Sequence, residues 1–351
     1  NNLNFIFKSA VSAFSLFLPS IASADCYNNG ASGRLANFCA LNELLNTKIN
    51  LRNLRFIDQK LKFEGRLKGL GFPNRLKKSY ISKSIYPIVS YSDNINGGNS
   101  PKPLVIGNNT FRGDEALYRK EGIVAGLAVG LNGRYIHTER GYIKYNINSS
   151  YTQSPKHGIG ISSTNASSCS INHIKNWWYL DACVNTSHIF KDITENKNKN
   201  ISLIGSKVYS SYKNTYNKTS FGLNHYITET YAQNQVLVEH KTIYSNKLYS
   251  TFNFTIGGDV ENQLTTQIAI RAQLIKELLN KPLKLSINYS KHDGGMLLGL
   301  EYNTRDIGIS ASYPVWKNLT INLGYKKSKS NINYYDNSTP SFGIQFNPIK
   351  F

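Results

Sequence analysis

The chain has 351 residues, of which 40% are hydrophobic and 18% charged, and its formal net charge at pH 7 is +20. Beyond the N-terminal residues, no stretch supplies the roughly 18 consecutive apolar residues of a membrane-spanning helix, which argues against a helical membrane protein. The positive charge would suit nucleic acid, but a signal for export argues against that partner. Acidic lipids and polymers of a cell envelope suit a basic surface equally well.

Residues 1–24 have the composition of a secretory signal peptide. Lys8 is followed by an apolar stretch from Ala10 to Leu18, and Ala22-Ser23-Ala24 is a small-residue cleavage site. We therefore predict export to the envelope of a Gram-negative bacterium, with removal of residues 1–24. A lipid anchor on Cys26 is the less favoured alternative, because Asp25 precedes it where a small residue is needed.

Four cysteines follow the signal peptide, as expected of a protein that matures in an oxidising compartment. They are Cys26, Cys39, Cys169 and Cys183. Several pairings are possible, and the spacing favours Cys26 with Cys39 and Cys169 with Cys183, since each pair closes a short loop. A zinc site is the alternative, but no CxxC or HxxxH spacing supports it.

Residues 25–84 are predicted to form an N-terminal periplasmic helical and basic segment. Apolar residues recur at helical spacing between Gly33 and Thr47, which indicates a short amphipathic helix. Lys and Arg then greatly outnumber Asp and Glu from Asn46 to Ser84. This basic stretch could be a solvated linker, a plug inside a barrel lumen, or a segment lying against the inner leaflet.

From Ile85 onward, apolar and polar residues alternate with a period of two, which is typical of strands with one apolar and one polar face. Leu283, Leu285 and Ile287 alternate with Lys284, Ser286 and Asn288, and similar runs surround Lys144 and Lys326. Residues 263–280 fit either a helix or a strand, and we predict a strand there.

Turn-forming residues separate these runs and indicate a meander of hairpins. The predicted turns are Asn96-Gly97-Gly98-Asn99, Asn132-Gly133, Gly257-Gly258, Asp293-Gly294-Gly295 and Asp336-Asn337-Ser338. Residues 85–351 are thus predicted to be an all-β, transmembrane, antiparallel up-and-down β-barrel of about 14 strands, with roughly 12 to 16 possible. The charged stretch from Ser100 to Glu121 would be a wide loop that forms a constriction or a binding surface.

The chain ends in Phe351, and a terminal aromatic residue resembles the signal by which outer-membrane barrels are recognised for insertion. The apolar period shifts across Pro348, which indicates a bulge or an edge in the last strand. We therefore expect the barrel assembly machinery to act on this strand, and outer-membrane lipids to surround the barrel.

Two further stretches resemble the barrel of the surface lipoprotein assembly modifier family. The stretch from Tyr91 to Asn99 is similar to that family's opening strand and turn, and the stretch from Ser330 to Asp336 is similar to its closing hairpin. The resemblance implies a protein that helps a lipoprotein or a soluble haem-binding or iron-related protein to cross the outer membrane. That family usually carries helical repeats before the barrel, and the short segment at residues 25–84 cannot hold them.

No motif for catalysis, a cofactor or a metal is found, and we predict that the protein is not an enzyme. The candidate bases are His137, His157, His173, His188, His225, His240 and His292. None has a Ser and an acid in a recognisable motif nearby in the sequence.

The leading functional hypothesis is a conduit that moves, or helps to move, a protein across the outer membrane. The alternatives are a porin-like channel for small anionic solutes and a structural or adhesive barrel. If apolar rows face lipid, Lys144, Lys284 and Lys326 line the lumen, where their charge would favour anions. The genomic neighbourhood would discriminate among these functions.

Overall fold

The computed structural model describes Cys26 and residues 33–46, 79–106, 108–138, 141–211, 215–244, 248–316, 318–347 and 349–350. The signal peptide predicted at residues 1–24, most of the basic stretch predicted at residues 46–84, the bulge or edge predicted at Pro348 and the predicted insertion signal at Phe351 lie outside these residues. Within them, a single helix of more than one turn precedes a long series of strands. These are α1 (Arg34–Asn46), β1 (Tyr80–Ser92), β2 (Leu104–Ile106), β3 (Asn109–Phe111), β4 (Gly122–Ile136), β5 (Gly141–Gln153), β6 (Gly160–His173), β7 (Trp178–Phe190), β8 (Glu195–Ser211), β9 (Thr215–Thr228), β10 (Ala232–Ile243), β11 (Leu248–Gly257), β12 (Thr265–Leu278), β13 (Lys281–Leu297), β14 (Leu300–Trp316), β15 (Leu319–Ser330), β16 (Asn337–Phe346) and β17 (Ile349–Lys350).

The long strands form a closed antiparallel up-and-down barrel of 14 strands, β1 and β4 to β16. Each strand pairs with the next in the chain, and β16 returns to pair with β1, with Ile88 opposite Gln345 and Ser90 opposite Gly343. The short β17 continues this seam by pairing Ile349 with Ile85. The prediction of an all-β barrel is confirmed, with the strand number that we favoured. Closure leaves no unpaired edge among these strands, which is what a sheet surrounded by lipid requires.

The two faces of the barrel wall differ in polarity. Tyr216 on β9 packs against α1, which lies inside the barrel, so the side chain of Tyr216 points inward. Residues that are directly paired on neighbouring strands share one face of the sheet, so the register shows which residues of the other strands also point inward. On β13, Leu285 and Ile287 are exposed on the outer face, whereas Lys284 lies in the inward row. Exposed apolar rows of this kind recur on most strands and face the hydrocarbon core. The barrel is therefore an outer-membrane protein, as predicted. Among the described helices, none is long and apolar enough to cross a bilayer.

The two ends of the barrel differ in the length of their connections. The first strand starts and the last strand finishes at the same end, where turns such as 174–177 and 279–280 are short. The opposite end carries the long connection of residues 93–121. Because outer-membrane barrels have short periplasmic turns and longer external loops, we assign the terminal end to the periplasm and residues 93–121 to the external mouth.

Two predicted turns are wrong, because both lie inside strands. Asn132-Gly133 is part of β4, where Gly133 pairs with Tyr145 and a Cβ atom at Gly133 would lie only 2.2 Å from the ring of Tyr145. The glycine thus makes room for a tyrosine on the neighbouring strand. Asp293-Gly294-Gly295 is part of β13, where the register with β14 shifts between His292 and Gly295 and Gly294 adopts a φ of +81°. This sequence forms a β-bulge, because a positive φ there costs glycine little.

Three other boundaries refine the sequence predictions. The first strand begins at Tyr80, so that the barrel starts before the predicted Ile85. The predicted turn at Asn96–Asn99 belongs to the long external connection rather than to a tight hairpin. The ambiguous stretch of residues 263–280 contains the strand β12, as predicted.

Candidate functional site in the lumen

Helix α1 lies in the periplasmic end of the lumen, where it contacts the inner faces of β8, β9 and β10. Its buried side chains include Leu35 and Phe38, and the ring of Phe38 meets Trp177 edge-on at 4.6 Å between centroids. Val208 and Tyr216 of the wall are almost fully buried in the same cluster. Burying two large apolar side chains stabilises the docked helix by about 3–6 kcal/mol before the entropy cost of ordering it.

A buried ion pair fixes α1 to the wall. The guanidinium of Arg34 donates two hydrogen bonds to the carboxylate of Asp181 on β7, at 2.9 and 2.7 Å, and a third to the hydroxyl of Ser206. The guanidinium also stacks on the ring of Tyr179, at 3.9 Å from its centroid. Burial lowers the pKa of Arg34, but the hydrogen bonds and charge of Asp181 outweigh it, and the pKa ends above its ordinary value.

A second set of charges lies beside the helix. Glu239 on β10 bridges the ammonium groups of Lys218 and Lys241, with N–O distances of 3.2 and 2.7 Å. The hydroxyl of Tyr216 donates to the carboxylate of Glu43 on α1 at 2.9 Å. The periplasmic half of the lumen on this side is therefore filled by a helix and its charge partners.

Both favoured disulfides are present. Cys26 is bonded to Cys39, which ties the start of the described chain to α1. Cys169 is bonded to Cys183 across the directly paired strands β6 and β7, in the inward rows. The first bridge restrains the helix, and the second lies in the barrel wall.

The connection of residues 93–121 folds across the external mouth. On one side, the carbonyl oxygen of Asn96 accepts a hydrogen bond from the backbone N–H of Ile193, and the ammonium of Lys191 donates to the carbonyl of Asn94. On the other side, Lys102 donates to the carbonyl of Asp336. The connection thus reaches both the β7–β8 turn and the β15–β16 loop, which agrees with a constriction.

Two groups in the external loops have shifted pKa values. Burial lowers the pKa of Lys191, and the nearby charge of Asp93 opposes this shift only in part. Burial, with the charge and hydrogen bond of Tyr302, raises the pKa of Tyr335 to about 12. Tyr335 stacks on Tyr302 at 4.7 Å between centroids, which packs the β15–β16 loop against the barrel.

The lumen wall from β11 to β16 borders an open cavity of about 570 Å³, which is lined by polar side chains such as Asn253, Asn288 and Ser290 and also by apolar atoms. It contains two cationic side chains, Arg271 and Lys326. Lys326 forms an ion pair with Asp306 at 2.9 Å. Within the described part of the chain, Arg271 has no carboxylate within ion-pair distance, and it is exposed to the lumen.

The three lysines predicted to line the lumen lie on the inner rows but do not form one cluster. Lys144 lies in the periplasmic half of β5, directly opposite Arg134 in the register with β4. Lys284 lies near the periplasmic start of β13. Lys326 is nearer the external end and is neutralised by Asp306. Sequence reasoning did not find Arg271 or Glu239, although each occupies a polar position in an alternating run, and it gave Asp181 no functional role.

The histidines do not assemble a catalytic arrangement within the described residues. His292 comes closest, because its Nε2 lies 3.0 Å from the hydroxyl of Ser290 and 3.9 Å from Asp306. Its Nδ1 instead contacts Thr266 at 3.1 Å. A base needs the acid on the ring nitrogen remote from the nucleophile, and here both groups share one nitrogen.

No protein-family model matches the chain, and no curated protein matches it in sequence. The surface lipoprotein assembly modifier resemblance is therefore not supported. Solved structures with a similar arrangement include OprB of Pseudomonas putida, with 7% identity over 78% of this chain and 94% of that one and a TM-score of 0.44. OccK9 (OpdG) of Pseudomonas aeruginosa has 7% identity over 79% and 99% of the two chains and a TM-score of 0.42. A BenF-like porin from Pseudomonas fluorescens Pf-5 has 6% identity over 79% and 100% and a TM-score of 0.40. Likeness of this degree carries no argument about function, which rests on the lumen itself.

Proposed function

We propose that the protein is a porin-like channel through which small polar solutes cross the outer membrane, with a preference for anions. The observation that carries this proposal is the open cavity on β11 to β16, which the unpaired guanidinium of Arg271 lines. An uncompensated positive charge in confined water lowers the energy of anions and raises that of cations.

The conduit for proteins, which was the leading hypothesis from the sequence, is less well supported than this alternative. A translocating polypeptide needs a wide passage, whereas α1 is held in the periplasmic end of the lumen by the Arg34–Asp181 pair. The described part of α1 contacts the β8 to β10 side. The wall from β11 to β16, which includes Arg271, is therefore the side along which small solutes would pass.

Ion selectivity in planar bilayers tests the proposal. Wild-type channels in a salt gradient should show a reversal potential that indicates anion preference, and Arg271→Gln should reduce it. A unit charge about 6 Å from a permeating ion in water changes its energy by about 0.7 kcal/mol, so we expect a change of roughly threefold or more in the permeability ratio at low salt.

Lys327→Gln is the matched control, because it removes the same charge from the outer row of β15. It should leave the reversal potential unchanged. The proposal is overturned if purified, folded protein conducts no ions, or if the Lys327 variant shifts the reversal potential as much as the Arg271 variant does.

A further inference from the structure

One stretch of the lumen wall is lined by amide side chains instead of charges. Six asparagines on the inner rows of β5 to β8 surround a recess of about 390 Å³, and we call them the asparagine wall. They are Asn146, Asn148, Asn165, Asn185, Asn198 and Asn200. None of the residues that line this recess is charged. By strand order, it faces the wall that carries Arg271 and Lys326.

The asparagine wall is a product of strand register. Asn148 is paired with Asn165, and Asn185 is paired with Asn200, so amides from separate runs of the chain meet side by side. Asparagine is depleted in strands, and serine or threonine would keep a lumen polar at a lower cost in strand propensity. A concentration of amides across four neighbouring strands therefore needs a reason beyond wetting the lumen.

Much of the hydrogen-bonding capacity of this wall is unused. In the described part of the chain, the side chains of Asn185 and Asn198, which line the recess, bond to no other residue. Each amide offers two N–H donors and one acceptor oxygen. Unmet acceptors and donors on a concave surface favour a ligand that can both donate and accept.

We propose, on the basis of the channel function proposed above, that the asparagine wall binds uncharged polyhydroxylated solutes, such as sugars and short oligosaccharides. Each sugar hydroxyl donates and accepts at once, which matches an amide and does not match an ammonium or a guanidinium. Tyr226, the register partner of Asn200, borders the recess, and an aromatic ring beside a sugar site can pack against the apolar side of a sugar ring. A recess of this volume is within the range of small-ligand sites.

The test uses maltotriose as the probe and the full-length channel in planar bilayers. Maltotriose should interrupt the ion current of the wild-type channel in a concentration-dependent way. The triple variant Asn185→Ala, Asn198→Ala, Asn200→Ala should raise the apparent dissociation constant at least about tenfold, because each lost hydrogen bond weakens binding severalfold. The matched control is Asn253→Ala, Asn288→Ala, Asn322→Ala on the opposite wall, which should bind maltotriose as the wild type does.

A polyethylene glycol of the same mass separates binding from simple obstruction, since it has no array of hydroxyls. The proposal is overturned if this polymer interrupts the current as strongly as maltotriose, or if the two triple variants behave alike. Should the wild type carry no current, equilibrium dialysis of radiolabelled maltotriose against the detergent-solubilised protein decides the matter. Binding that the wall variant loses and the control keeps supports the site although the channel function fails, and absence of binding overturns the site as well.

Discussion

The ion pair between Arg34 and Asp181 should determine how firmly α1 stays in the lumen. The two side chains are 9% and 13% exposed, and their charges meet through two short hydrogen bonds. Removing one partner of such a buried pair costs about 3–5 kcal/mol, because the other charge remains buried without compensation. Asp181→Ala should therefore remove most of the free energy that keeps the helix docked.

Hydrogen exchange of the α1 peptides in the detergent-solubilised barrel measures this directly. Amides that exchange through undocking should exchange about 10²- to 10³-fold faster in Asp181→Ala than in the wild type. The reciprocal exchange Arg34→Asp with Asp181→Arg should restore part of the protection. The control is Asp306→Ala, whose partner Lys326 is 61% exposed, and a pair of that kind contributes only about 0–1 kcal/mol.

Two results would refute this reasoning. One is an exchange rate in α1 that stays within about twofold of the wild type in Asp181→Ala, while the barrel still migrates as a folded species in an unheated gel. The other is an equal acceleration in Asp306→Ala, which would show that the loss of any lumen carboxylate loosens the helix.

Three further predictions concern the wall and the mouth. Replacing Cys169 and Cys183 by Ser should lower the free energy of unfolding in urea by about 2–4 kcal/mol without preventing barrel formation, and an unchanged urea midpoint would contradict a stabilising bridge. Gly133→Val should reduce the yield of folded protein, because the ring of Tyr145 occupies the space that the valine side chain needs, and the added change Tyr145→Ser should restore the yield. The control Gly205→Val has open space on the outer row and should fold normally. Equal losses of folded protein in the Gly133 and Gly205 variants would disprove the steric argument. Burial lowers the pKa of Lys191, so docking of the external connection releases a proton, and its docked state should gain stability as the pH rises towards 10.5. Channel closures should lengthen over that pH range, and their duration should no longer depend on pH in Lys191→Met. Closures that shorten as the pH rises would contradict the role of Lys191 in docking the connection.

The alternating rows determine the strands, because side chains on a strand point alternately to opposite faces whatever the strand pairs with. Leu285 and Ile287 against Lys284 and Ser286 are enough to predict one apolar and one polar row. The two short cysteine spacings predict the disulfides for a similarly local reason. The helix near Gly33 also follows from the spacing of apolar residues, but its amphipathic character does not, because all residues from Arg34 to Ala40 are buried.

Partners that are distant in sequence follow from none of these patterns. Arg34 and Asp181 are 147 residues apart, and their meeting depends on α1 entering the lumen at the height of β7. The same holds for Asn132-Gly133, which has the composition of a turn and becomes part of a strand because Tyr145 on the next strand needs the space. Except at such glycine-containing positions, the sequence by itself thus determines where the strands lie and which face of each is polar. Closure of the sheet and its register decide which polar residues stand together, since one residue of slippage would place every one of them on the other face.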